Sequence, residues 1–172
     1  GVSSYEAGEV WHLLDQRYEM PLSMVEVGSI GATNLDKYNV IVMVTGRYGG
    51  ISESAQNDLK GWVRQGNTLI LIKGAVSWGK AAGFNKVQYK AEGTSDNRSG
   101  IYANYSNESG AKEIGGAIFE AKLDLTHPLA YGFSRDRMPL FRNHEQVIKP
   151  HNNPYATPIK YTEQPLLSGY IS

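Results

Sequence analysis

The sequence predicts an open, mostly parallel α/β sheet with helices on both faces, and three observations within residues 38–78 carry that prediction. Residues 39–45 (NVIVMVT) form an unbroken, β-branched apolar run without alternation, the pattern of a strand covered on both faces. After Gly46 and the Gly49-Gly50 pair, Ser52 or Ser54 is placed to cap a helix. Its apolar residues Ala55, Leu59, Trp62 and Val63 fall at i, i+4, i+7 and i+8, one stripe turned toward a sheet. Gly66 then accepts the left-handed conformation that ends a helix, and residues 68–72 (TLILI) supply a second buried run. Two parallel strands joined by a helix make a right-handed crossover.

The chain of 172 residues reads as a single domain, residues 1–172, long enough to bury roughly 70% of its unfolded surface. Seventeen basic residues balance seventeen acidic ones, with no basic stripe, which argues against nucleic acid and anionic membrane as partners. Cysteine is absent, so disulfides, thiolate nucleophiles and cysteine zinc sites are excluded. No apolar run exceeds the length of a strand, and no export signal opens the chain.

Taken in order, residues 3–18 predict a helix, with Ser3 and Glu6 spaced as a capping box. Ala7, Val10, Trp11, Leu14 and Tyr18 form its apolar stripe. Pro21 ends it, and residues 22–27 (LSMVEV) predict a short strand before a glycine-spaced loop. Open α/β sheets usually begin with a strand, so the chain is expected to be trimmed at its start, and its abrupt end after LLSGYIS suggests the same there. An incomplete sheet would leave an edge free for self-association. Residues 74–84 read as a glycine-bounded turn with room for one or two helical turns. Residues 90–113 are polar and aperiodic, a long surface excursion. Residues 116–123 resume a strand, DLTHPLAYGF forms a tight bend, and residues 139–141 and 146–149 predict two short strands around the turn RNHE. The proline-punctuated tail closes on a strand-like run.

Ligands of open α/β sheets bind at the carboxyl ends of the strands, where VTGRYGG (44–50) and KGAVSWG (73–79) fall. The second has the glycine-flanked form of a nucleophile elbow, a strained strand-to-helix turn that exposes a nucleophile. Arg47, Tyr48, Ser77 and Trp78 are the candidate ligand-binding residues there. A serine nucleophile needs a histidine base oriented by a carboxylate, and DLTHP offers Asp124 and His127; the same residues also suit a turn in which both bond the backbone. Glu9, His12 and Asp15 share a helical spacing, but neither H-E-x-x-H nor H-x-x-E occurs, so no metal site is assigned.

Taken together, GVSSYEAGEVWHLLDQR, YNVIVMVTGRYGG, LKGWVRQGNTLILIKGA and LDLTHPLAYGF resemble one known module. It is the class I glutamine amidotransferase-like domain that lies C-terminal to the catalytic domain of large bacterial zinc carboxypeptidases of the carboxypeptidase A type. The likeness covers most of the chain and is weakest over residues 90–113. It implies a flavodoxin-like sheet, a periplasmic or extracellular parent enzyme, and the carboxypeptidase catalytic domain of the same polypeptide as partner. Zinc is then expected only in that absent catalytic domain, with no cofactor in this chain. Two departures matter: Val76 or Ser77 stands where an amidotransferase places cysteine, and the carboxypeptidase zinc ligands are missing. The resemblance therefore implies a non-catalytic accessory domain that positions substrate or braces the catalytic domain. The alternatives are a peptide- or glycan-binding module and a degenerate serine hydrolase using Ser77.

Overall fold

The computed structural model describes residues 1–90, 101–110 and 114–170. They divide into two compact units, Gly1–Lys86 and Val87–Ser172.

The first unit opens with helix α1 (Ser4–Trp11), which widens into a π-helical turn over His12–Arg17. Ser3 Oγ accepts the Glu6 N–H at 3.4 Å, so half of the expected capping box forms. The reciprocal half does not, because the Glu6 carboxylate is drawn to Thr45 N–H instead, at 2.8 Å. No residue of α1 is buried, so its apolar stripe does not enter a core. Residues 22–27 form no strand; the chain winds into 3-10 turns at Val27–Ala32 and Leu35–Lys37. The glycine-rich run that begins at Gly28 favours turns over extended pairing, and Met24 and Val25 stay exposed.

Strand β1 (Val40–Met43), helix α2 (Glu53–Arg64) and strand β2 (Thr68–Leu71) realise the predicted crossover, with Val40 opposite Thr68 and Met43 opposite Leu71 in parallel register. Ser52 is the cap, its hydroxyl accepting from Ala55 N–H, and Gly66 takes φ +100° where the helix ends. Ala55, Leu59 and Trp62 are buried against Met43, Tyr48, Ile51 and Ala75 to make the core of this unit. Full burial of a side chain such as Leu59 contributes about 1.5–3 kcal/mol. Helix α3 (Gly74–Ala81) follows β2 almost directly and ends before Gly83, at φ +80°.

The second unit contains the short helix α4 (Tyr105–Gly110) and strands β3 (Ala117–Leu123), β4 (Arg137–Arg142) and β5 (Ile159–Gly169). The strands form one antiparallel sheet in the order β4-β3-β5. This corrects the expectation of a mostly parallel sheet: among the described residues only β1 and β2 pair in parallel. The cause lies in the connections. Parallel neighbours need a crossover such as α2, whereas β3 and β4 are joined by a bend with a single 3-10 turn, Pro128–Ala130, which returns the chain antiparallel. Along β3, Ala117, Phe119, Ala121 and Leu123 are buried in strict alternation, so this sheet has one core face. Residues 146–149 give only an isolated bridge, Ile148 to Tyr89. The closing run is longer than LLSGYIS suggested; Pro165 lies on β5 where its register with β3 shifts, at a position that needs no N–H for the ladder. Of the polar excursion, the described residues 101–110 form a 3-10 turn and α4, with Tyr102 and Tyr105 exposed and stacked, while residues 91–100 and 111–113 lie outside the described set.

Candidate functional site

The parallel strands β1 and β2 end beside one another, and the chain leaves β2 through a residue that L-amino acids rarely tolerate. Lys73 has φ +49° and ψ −116° and leads directly into α3. A non-glycine residue held there costs of the order of 1–3 kcal/mol, and the surroundings must fix it. They do so from both sides. Gly74 N–H donates to Thr45 Oγ1 at 3.1 Å, and a Cβ on Gly74 would lie 2.8 Å from Thr45 Cγ2, so only glycine lets α3 approach β1 this closely. On the other side the Lys73 ammonium lies 3.5 Å from Glu6 Oε1, while Glu6 Oε2 accepts the Thr45 N–H. Glu6 reaches this point because residues 1–3 lie along residues 45–47. Ser3 N–H donates to Thr45 O at 2.7 Å, Arg47 N–H to Gly1 O at 3.1 Å, and Val2 bridges Gly46.

Partial burial pushes the Glu6 carboxyl up, but the Thr45 hydrogen bonds and the Lys73 charge outweigh it and hold the group below its ordinary value. Burial raises the Tyr48 phenol, and the negative charge of Glu6 raises it further, against the bond to Val44 O. The site is thus a strained strand-to-helix elbow whose strained residue, half-buried, carries an ammonium already paired with a carboxylate. A lysine nucleophile requires a neutral amine, and an anionic partner favours the charged one. The N–H groups at the start of α3 are also engaged: Gly74 with Thr45, Ala75 with Ile72 O and Val76 with Lys73 O. They are not aimed at an incoming oxyanion.

The candidates named from the sequence fall as follows. Tyr48 is buried; its hydroxyl donates to Val44 O and its ring packs on Trp78, with centroids 5.2 Å apart. Trp78 also meets Phe84 at 5.4 Å, so both rings brace the loop from within. Arg47 is exposed and held through its backbone. Ser77 is half-buried within α3, past the elbow residue itself, which is Lys73 rather than Val76 or Ser77. Asp124 and His127 belong to the second unit, where Asp124 Oδ1 accepts from both Thr126 N–H and Thr126 Oγ1. His127 Nδ1 accepts the Leu129 N–H at 3.2 Å. A neutral imidazole that accepts at Nδ1 carries its hydrogen on Nε2, and so has no lone pair there to take a serine proton. Sequence reasoning missed Glu6, Thr45 and Lys73 as a group. Glu6 has the spacing of a cap, and no local signal marks a lysine for a strained turn.

A cleft of about 400 Å³ lies elsewhere in the first unit, lined by Leu35, Asp36, Asn57, Asp58, Trp62 and Gln65 among others. Its floor is structural: the Trp62 indole N–H donates to the carbonyls of Leu35 and Tyr38, each at 3.1 Å. Among the described residues, no three His, Asp or Glu side chains group as a metal site, and no helix is long and apolar enough to cross a membrane. No protein-family model matches the sequence, and no curated protein or solved structure matches it.

Proposed function

We propose that this chain is a non-catalytic, amidotransferase-like accessory module of flavodoxin-like ancestry that serves a bacterial zinc carboxypeptidase. Its partner is the catalytic domain of the same polypeptide, outside the cytoplasm, and zinc belongs to that domain. One observation carries the reading: a nucleophile elbow persists in backbone form at Lys73, with a paired ammonium where a thiol or hydroxyl would act. The first α3 N–H groups are engaged, and His127 Nδ1 is taken up by the Leu129 N–H, which further supports a binding or bracing role over the serine hydrolase. The sequence likeness over the first helix, the strand-helix-strand unit and the LDLTHP bend supports the association with carboxypeptidases.

The test has two arms. Purified protein, with zinc added, is assayed for glutamine hydrolysis and for release of C-terminal residues from peptides, and both are expected to be absent. The protein is also titrated against an isolated zinc carboxypeptidase catalytic domain of the carboxypeptidase A type, where saturable binding is expected. Turnover that persists through repurification and is lost in Ser77→Ala would establish the serine hydrolase instead. Failure to bind the catalytic domain would sink the accessory role.

A further inference from the structure

All three histidines of the second unit make the same bond. His127 Nδ1 accepts the Leu129 N–H at 3.2 Å, His144 Nδ1 the Gln146 N–H at 3.0 Å, and His151 Nδ1 the Asn153 N–H at 3.0 Å. Each closes a tight turn from residue i to the N–H of residue i+2. The remaining histidine, His12, lies in the first unit, in the π-helical turn that follows α1.

The turn geometry itself does not require histidine. Elsewhere in this chain the identical bond is made by Asn34 to Asp36 N–H, by Asp124 to Thr126 N–H, and by Asn153 to Tyr155 N–H. Asparagine and aspartate are the usual residues for such turns. What histidine adds is titration. Imidazole takes up its second proton between about pH 8 and pH 5, and imidazolium has no acceptor: both ring nitrogens become donors. A protonated Nδ1 then faces the N–H it had held.

The three turns sit in the two connections of the antiparallel sheet. His127 caps the 3-10 turn Pro128–Ala130 between β3 and β4, and it seats the buried Ala130. His144 and His151 lie between β4 and β5. The charged groups bearing on them differ. At His127 the charged neighbour is Asp124, itself beside Lys160. Beside His144, the Arg142 guanidinium donates to the carbonyls of His144, Glu145 and Gln146. At His151 the backbone N–H is held by Thr157 Oγ1, a neutral partner.

We propose that His127, His144 and His151 form an acid-sensitive set of turn locks, closed when neutral and opened by protonation, which loosens both connections of the sheet in the second unit on mild acidification.

Nuclear magnetic resonance on the whole chain tests this directly. Long-range imidazole nitrogen correlations at pH 7.5 are expected to place the ring hydrogen of all three on Nε2. On titration to pH 5, the amide protons of Leu129, Gln146 and Asn153 are expected to move upfield, each with the midpoint of its own histidine. The Asp36 amide, held by Asn34, stays put. In the variant H127N/H144N/H151N the turns are kept and the acid response of those amides is lost; if the triple variant is poorly folded, the three single variants each report one turn. A ring hydrogen on Nδ1 at neutral pH would overturn the proposal. So would an amide response that persists unchanged in the asparagine variants.

Discussion

The Lys73 ammonium lies 3.5 Å from Glu6 Oε1 at the end of β2, and the other oxygen of the same carboxylate holds Thr45 N–H at the end of β1. One side chain from the first helix thus ties two strand ends and the start of α3 together. The pair is partly exposed, so its own contribution is small, about 0–1 kcal/mol. The Thr45 bond is different, since removing its acceptor leaves an N–H unpaired at a half-buried position. Glu6→Ala should therefore destabilise the first unit by about 1–3 kcal/mol, and Lys73→Met by less than about 1 kcal/mol. Urea unfolding of both variants checks the order.

The same carboxylate sets a pH dependence. Its folded-state value lies below the ordinary 4.5, so its contribution is complete above that value and is lost as pH falls through the folded value. The stability gap between the native chain and Glu6→Gln should be constant from pH 8 to pH 6 and should shrink below the ordinary carboxylate range. A gap that widens on acidification would contradict the assignment.

Lys73 should invert the usual ranking of glycine and alanine. At φ +49° and ψ −116° alanine keeps the strain and glycine removes it, so Lys73→Gly should be more stable than Lys73→Ala by about 1 kcal/mol. Gly74→Ala next door should cost about 1–3 kcal/mol, because its Cβ would displace the Thr45 side chain that holds the turn. Thermal melts of the three variants decide the point.

In the second unit Arg142 is nearly buried, and among the described residues it has no carboxylate partner. Its guanidinium donates to three consecutive carbonyls, two of them at 2.7 Å, and lies 5.6 Å from the Phe119 ring and 5.9 Å from that of Tyr161. Lysine cannot reproduce that fork. Arg142→Ala should cost about 3 kcal/mol, and Arg142→Lys should recover less than half of it. Denaturant midpoints of the two variants give the comparison.

The parts of this architecture that were legible in the sequence are those whose causes are local. Ser52, the stripe Ala55-Leu59-Trp62 and Gly66 each act within a turn or two, and the helix they predict forms with the expected cap and core face. Strand direction is not local. A buried run such as residues 116–123 reads the same whether its neighbour runs parallel or antiparallel, and only the connection decides. Residues 22–27 have strand composition but no strand beside them among the described residues. The stretch KGAVSWG holds a strained strand-to-helix junction at Lys73, which no local signal marks, since a positive φ at lysine is held by contacts from Glu6 and Thr45, distant in sequence.

The most direct test of the account is the chemistry of that elbow. Intact-mass spectrometry is run on the purified chain after exposure to a serine-directed fluorophosphonate, alongside a glutamine and peptide turnover assay with zinc present. The account predicts an unmodified mass and no turnover, because the elbow position holds a paired lysine and His127 Nδ1 is engaged by the Leu129 N–H. A stoichiometric adduct on Ser77, with turnover that the adduct abolishes, would contradict it.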